Sequence, residues 1–206
     1  ANNKLKSLPN SVWENENMFL LELDNNNISM IPGLAIRKAT NLRNIYISNN
    51  SLALLPNELF DLNLITMMLD GNRLSSIPSN IGIATNLRYA RFNNNNNIST
   101  IPEEIGKLTR LSMLDMRNNA IATLPKSFEN LKGRLQYTYL YDNPICTNGW
   151  LDGQPSIKNI VEKSPKAGCN KQCSKYCQNR YLKVKSCIRE CDSMECGYQN
   201  GVCSSS

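Results

Sequence analysis

Apolar side chains in residues 1 to about 145 recur in one fixed pattern, L-x-x-L-x-L-x-x-N-x-L-x-x-L-P. One copy reads Leu42, Ile45, Ile47, Asn50, Leu52, Leu55, Pro56, and another reads Leu111, Leu114, Met116, Asn119, Ile121, Leu124, Pro125. The polar punctuation is as regular: Asn3, Asn26, Asn50, Asn72, Asn96, Asn119 and Asn143 follow one another at intervals of 22 to 24 residues. A period of this size marks a stack of similar coils. Alternation such as Ile45 and Ile47 predicts a short strand with one buried face. The asparagine suits the corner that follows, where its amide can satisfy backbone groups leaving the strand ladder. The Leu-x-x-Leu-Pro segment carries the chain back over the other face, and proline stops the strand from continuing. No copy buries its own apolar face, so neighbours must stack, with the asparagine amides above one another.

Seven registers are visible: a partial copy at Leu5 and Leu8, five full ones, and a last at Leu135, Thr138, Leu140, Asn143 and Ile145. The fifth carries one extra residue within Asn93 to Asn97, because Phe92 lies six residues from Ile98 where Leu23 lies five from Ile28. A bulge is expected there, with Asn96 taken as the ladder residue and Asn95 as its alternative. The pattern resembles the leucine-rich repeat family over residues 1–145. The resemblance implies an α/β solenoid, a horseshoe with short parallel strands on its concave face. Residues 146–168 then form a C-terminal cap or linker, and 169–206 a small disulfide-rich module.

Cysteine usage supports that division, since all eight cysteines lie at or beyond Cys146. The chain has no histidine, which removes mixed Cys/His zinc sites, and it lacks the close Cys-x-x-Cys pairs typical of an all-thiolate site. An even count in a short polar segment reads as a disulfide framework made for an oxidising compartment. The spacing Cys187-x3-Cys191-x4-Cys196-x6-Cys203 resembles the second half of a Notch-type cysteine repeat, with Cys173 and Cys177 in its first two positions. That resemblance implies the pairs Cys173–Cys196, Cys177–Cys191 and Cys187–Cys203, and leaves Cys146 for Cys169; spacing by itself leaves fifteen connectivities open for six cysteines. Members of that family bind calcium through Asp-Gly-x-Asp before the last cysteine. Here the stretch is Gln199, Asn200, Gly201, Val202, so both acids are missing. Asp192 and Asn200 make a poor oxygen set for a hard cation, and no calcium or other cofactor is expected.

Asn27-Ile-Ser29, Asn49-Asn-Ser51 and Asn97-Ile-Ser99 are N-glycosylation sequons, although a chain so rich in Asn and Ser produces some by chance. Without histidine, Ser-His and Cys-His nucleophile pairs are impossible. No G-x-S-x-G elbow or phosphate-binding glycine loop occurs. Glu103 and Glu104 resemble a carboxylate couple but read better as solvated loop residues, so no catalytic residue is assigned. No apolar run approaches the roughly 20 residues that cross a bilayer. Of the net charge of +6, the repeats hold 14 basic and 12 acidic residues, and the lysines of the appendix are spread rather than clustered. Neither pattern carries a nucleic-acid recognition motif.

The remaining candidate is the outward side of the strands. Stacking forms three columns there: Leu20, Asn44, Thr66, Tyr89, Met113, Tyr137; then Glu22, Tyr46, Met68, Arg91, Asp115, Tyr139; then Asp24, Ser48, Asp70, Asn93, Arg117, Tyr141. Five of the eight tyrosines lie in them. Tyrosine also suits an exposed strand for purely structural reasons, but tyrosine, methionine and arginine concentrate binding energy at interfaces. Tyr46, Met68, Tyr89, Arg91, Met113, Arg117, Tyr137, Tyr139 and Tyr141 are therefore the expected contact residues for a protein or glycan ligand. The N-terminal end shows neither cysteines nor an amphipathic helix to cover it, which makes self-association through that end a second expectation. The two functions in view are an extracellular or cell-surface recognition module and the head-to-tail subunit of a fibre.

Overall fold

The computed structural model describes residues 3–95, 97–163 and Cys169. They fall in one compact unit that ends at Cys169; residues 170–206 form a second unit outside the description, as do the pairings expected among Cys173 to Cys203 and the oxygens of Asp192 and Asn200. Six three-residue strands, β1 (Leu20–Glu22), β2 (Asn44–Tyr46), β3 (Thr66–Met68), β4 (Tyr89–Arg91), β5 (Met113–Asp115) and β6 (Tyr137–Tyr139), pair in parallel and in sequence order. The register joins equivalent positions, for example Ile45 to Met67, Met67 to Ala90 and Ala90 to Leu114. Returns on the far side are short: α1 (Asn10–Trp13) and α2 (Gly33–Ile36) in the first coils, then single 3-10 turns such as Asn57–Asp61 and Glu103–Lys107. Each of the later turns begins after a proline of the repeat (Pro56, Pro78, Pro102, Pro125) in an extended conformation. Strands pack about 4.8 Å apart and helical turns need more room, so the stack bends toward its strands.

Leucine, isoleucine and phenylalanine positions of the repeat make one continuous core, with Ile45, Ile47, Phe60, Phe92, Leu114 and Phe128 fully buried. Beside it runs the asparagine ladder. Oδ1 of Asn50, Asn72, Asn95 and Asn143 each accepts the N–H of Ile28, Leu52, Leu74 and Ile121 in the preceding coil, all at 2.9 Å. Nδ2 donates to carbonyls on two coils, as when Asn72 reaches Ile47 O at 2.8 Å and Leu69 O at 3.0 Å. At the outer end Asn26 accepts from Leu5 at 3.2 Å, which ties the partial copy to the stack.

One register assignment is corrected. Asn95, not Asn96, occupies the ladder position in the fifth register, the coil of β4: it is buried and donates to Phe92 O at 2.8 Å. Strand hydrogen bonds to both neighbours fix the chain up to Phe92, so the corner is counted from the strand side, and the extra residue falls after it. The residue preceding each ladder asparagine confirms the count, since Asn25, Asn49, Gly71, Asn94, Asn118 and Asp142 all have positive φ. Asparagine, aspartate and glycine tolerate that conformation best. The extra residue has a local cost. Asn119 Oδ1, whose partner by analogy would be Ile98 N–H, is buried with no hydrogen bond. Removing one asparagine from the run 93–97 is expected to restore the regular spacing and raise the unfolding free energy by about 1–2 kcal/mol. Denaturant titration checks this; a variant no more stable than the parent would show that the bulge relieves some other strain.

The ends differ. At the C-terminal end Trp150–Gly153 and α3 (Pro155–Lys163) lie over the last coil, burying Leu151, Ile157, Ile160 and Val161. Cys146 is bridged to Cys169, with Cα atoms 5.3 Å apart. At the N-terminal end the sequence shows no covering element, yet α1 places Trp13 at 1% exposure against the core. A four-residue helix is too short to leave an amphipathic period, which is why the pattern misses it. The strand side of that end stays open: Phe19 and Leu20 are 58% and 46% exposed. No helix among the described residues is long and apolar enough to cross a membrane.

Candidate ligand-binding face

The three outward columns assemble as the register requires. Leu20, Asn44, Thr66, Tyr89, Met113 and Tyr137 are successive partners across the sheet, as are Glu22, Tyr46, Met68, Arg91, Asp115 and Tyr139. Beyond the strand ends the third column is held by side chains as well as backbone. Asp24 Oδ1 accepts the Ser48 N–H at 2.6 Å, and Ser48 Oγ donates to Asp70 Oδ1 at 2.8 Å.

All nine expected contact residues share this face, but they are not equally available. Tyr89 is 41% exposed, while Tyr46, Met68, Arg91, Tyr137, Tyr139 and Tyr141 are half-buried. Met113 and Arg117 are buried, at 9% and 5% exposure, so neither offers itself to a ligand as the column pattern implied. The reason is lateral crowding. Arg117 folds back along its own chain, donating from Nε to Asp115 Oδ1 at 2.8 Å and from Nη2 to Oδ2, while Nη1 donates to the Tyr141 hydroxyl. Its guanidinium carbon sits 5.1 Å from the ring centroids of both Tyr139 and Tyr141. Burial pulls the guanidinium pKa down, but the hydrogen bonds and charge of Asp115, with Tyr141, outweigh it; the net direction is up, and Arg117 stays charged. Tyr137 and Tyr139 stack with centroids 6.4 Å apart and planes 10° from parallel. The tyrosines of the last coil are thus a set of rings fixed on a buried cation.

At the middle of the face, burial raises the Asp70 carboxyl above its ordinary value of 3.8, against the opposing Ser48 hydrogen bond and the charge of Arg91. A carboxylate raised on folding contributes stability that is complete below the unfolded pKa and lost as pH rises through the folded one. Asp70→Asn is therefore expected to melt above the parent at neutral pH, with the difference vanishing below about pH 4. Melting temperatures across pH decide it; a variant less stable at pH 7 would mean that the Arg91 attraction outweighs desolvation.

Glu103 is exposed, as the sequence reading has it, and it also binds the start of the next turn. Its carboxylate accepts Ser127 N–H at 3.0 Å and Lys126 N–H at 3.2 Å in the next coil, and those backbone bonds, with Ser127's hydroxyl, lower its pKa. The sequon asparagines Asn27, Asn49 and Asn97 are exposed. Asn49 Nδ2 donates to Asn25 Oδ1 at 3.2 Å, in an outer row of amides that Gly71 interrupts.

The family model for leucine rich repeats (2 copies) matches residues 85–133. No significant match is found among curated protein sequences. Among solved structures, a leucine-rich repeat protein of Leptospira interrogans is 29% identical, with a TM-score of 0.70 over 82% of this chain and 41% of that one. The plant peptide hormone receptor RGFR1, in complex with RGF2, is 26% identical, with a TM-score of 0.58 over 73% of this chain and 25% of that one. The functional domain of InlJ from Listeria monocytogenes, which includes a cysteine ladder, shares the fold at 19% identity, with a TM-score of 0.56 over 68% of this chain and 33% of that one. This chain spans less than half the length of each of these. Repeat motif, parallel register, asparagine ladder and structural neighbours agree: the chain folds as a leucine-rich repeat solenoid.

Proposed function

We propose that this chain is an extracellular recognition module that holds a segment of a protein partner on its strand-lined face, without catalysis. The observation that carries the reading is the ordering of Tyr139 and Tyr141 on the buried Arg117. Rings already fixed lose little freedom when they bind, and preorganised aromatic anchors are what a recognition surface needs. A peptide is favoured over a glycan because the exposed and half-buried groups here are mainly aromatic and thioether, with Tyr89 and Met68 continuing the apolar path. The similar plant protein is a peptide hormone receptor. The Cys146–Cys169 bridge and the three sequons favour an oxidising, secretory route.

The test is to pan a displayed library of random peptides on the immobilised full chain, then measure the enriched peptides against Tyr137→Ala/Tyr139→Ala/Tyr141→Ala. Binding should fall at least about a hundredfold, as for the loss of clustered hot spots, while Tyr46→Ala alone costs less. Enriched peptides that bind the triple variant as well as the parent would defeat the proposal. A second reading, the head-to-tail fibre, draws on the open end strand β1 with Phe19 and Leu20 exposed. Sedimentation separates the two: a mass independent of concentration supports the module, and growing polymers support the fibre.

A further inference from the structure

Where the chain enters the strands, the edge of the stack has a composition unlike the rest of the surface. Arg43, Asn63, Ile65, Asn86, Arg88 and Arg110 line one shallow pocket there, without a single carboxylate. Their alignment follows from backbone bonds. Arg43 O accepts the Ile65 N–H at 2.7 Å, Ile65 O accepts the Arg88 N–H at 2.9 Å, and Arg88 O accepts the Ser112 N–H at 2.9 Å. Arg43 and Arg88 thus occupy the same position two coils apart, about 10 Å at the usual strand spacing.

The side chains are partly fixed. Arg43 Nη1 donates to Thr40 O and Leu42 O at 3.0 Å each, which anchors one arm of its guanidinium. Asn86 Nδ2 donates to Asn63 Oδ1 at 3.1 Å, and Arg110 Nη1 donates to Asn86 Oδ1. Among the described residues, the ion pairs employ Arg37, Lys38, Arg117 and Lys158, and none of the pocket arginines. Arg134, exposed in the following coil, extends the line beyond Arg110. Cations grouped without counter-charge repel one another, so beyond those hydrogen bonds the grouping of charge brings the fold no gain unless an anion completes it.

We infer that this edge is a binding site for a sulfated polysaccharide, held by Arg43, Arg88 and Arg110. Guanidinium forks match the oxygen pairs of sulfate groups. Four cations strung along the stack suit a chain with repeating charges better than a single ion. The amides of Asn63 and Asn86 offer both donors and acceptors between the charges, as sugar hydroxyls require. The site is separate from the tyrosine face and stands whether or not that face binds a peptide.

The test measures binding of a size-defined heparin oligosaccharide to the full chain by calorimetry at physiological salt. Arg43→Ser/Arg88→Ser/Arg110→Ser is expected to weaken it at least tenfold, about one charge-assisted contact. Arg88→Ser, which keeps the backbone bonds and removes a guanidinium that makes no hydrogen bond among the described residues, should lower affinity several-fold and leave the melting temperature unchanged. Arg73→Ser/Lys107→Ser/Lys126→Ser removes the same charge elsewhere and should have little effect, and the fully desulfated oligosaccharide should not bind. Equal losses in the two triple variants would reduce the effect to net charge and overturn the site. So would an edge variant that binds like the parent, which would place any binding on the lysines beyond residue 169. A phosphorylated peptide that binds as tightly, with the same arginine dependence, would overturn the assignment to a polysaccharide.

Discussion

Asn72→Ala is expected to lower the unfolding free energy by about 3 kcal/mol, moving the denaturant midpoint without changing the slope. The side chain is 6% exposed, and its amide serves two coils at once. Without it, the Leu52 N–H loses its acceptor and Ile47 O loses a donor, both inside a dry corner. A buried group left unsatisfied costs about 1–3 kcal/mol, so two such groups exceed the small transfer gain from the smaller side chain. Asn72→Asp keeps the shape but replaces the donor with an acceptor, and should be no better than alanine. Asn130→Ala, on an exposed return, should change stability by no more than about 0.5 kcal/mol. If the two alanine variants unfold together, the ladder is decoration.

Trp13→Ala should cost about 4 kcal/mol, the usual figure for truncating a fully buried aromatic ring. Its effect should also be uneven along the chain. In a stack each coil touches only its neighbours, so losing the end cover loosens the end first. Hydrogen exchange should therefore speed up at Leu23 and Asn25, whose N–H groups bond Tyr46 O and Ser48 O. The amides of Met116 and Asn118, which bond Tyr139 O and Tyr141 O, should stay protected. A uniform loss of protection would mean that the solenoid unfolds as one unit.

Much of this fold is legible in the chain because its period is enforced by physics at each corner. The strand positions, the three outward columns and their order follow from spacing between Leu23, Ile47, Leu69, Phe92, Met116 and Leu140. The ladder residue of the β4 coil is harder, because five identical letters hide the register. Counting back from Ile98 gives Asn96, whereas counting forward from Phe92 gives Asn95. Only the second count respects the strand, and the positive-φ column of Asn25, Asn49, Gly71 and Asn118 was the signal that settles it. Burial of Arg117 is illegible for another reason: its partners Tyr139 and Tyr141 come from the next coil, and one-dimensional spacing gives no side-chain direction. The arginine edge is not legible in that pattern because its members precede the strands, outside the columns that alternation picks out. Trp13 lies in a segment too short to show a period.

The lone acceptor on Asn119 has a consequence for how the molecule comes apart. The β4 and β5 coils keep the Asn119 Nδ2 bond to Phe92 O at 3.0 Å but lack the accepting half of that stitch, so this junction is one buried hydrogen bond poorer than its neighbours. Thermal opening in a linear array starts at its weakest junction. Local opening between these two coils is then expected to cost less than at the junctions on either side. The five-asparagine stretch is in this sense a soft spot beside a core that runs unbroken past it.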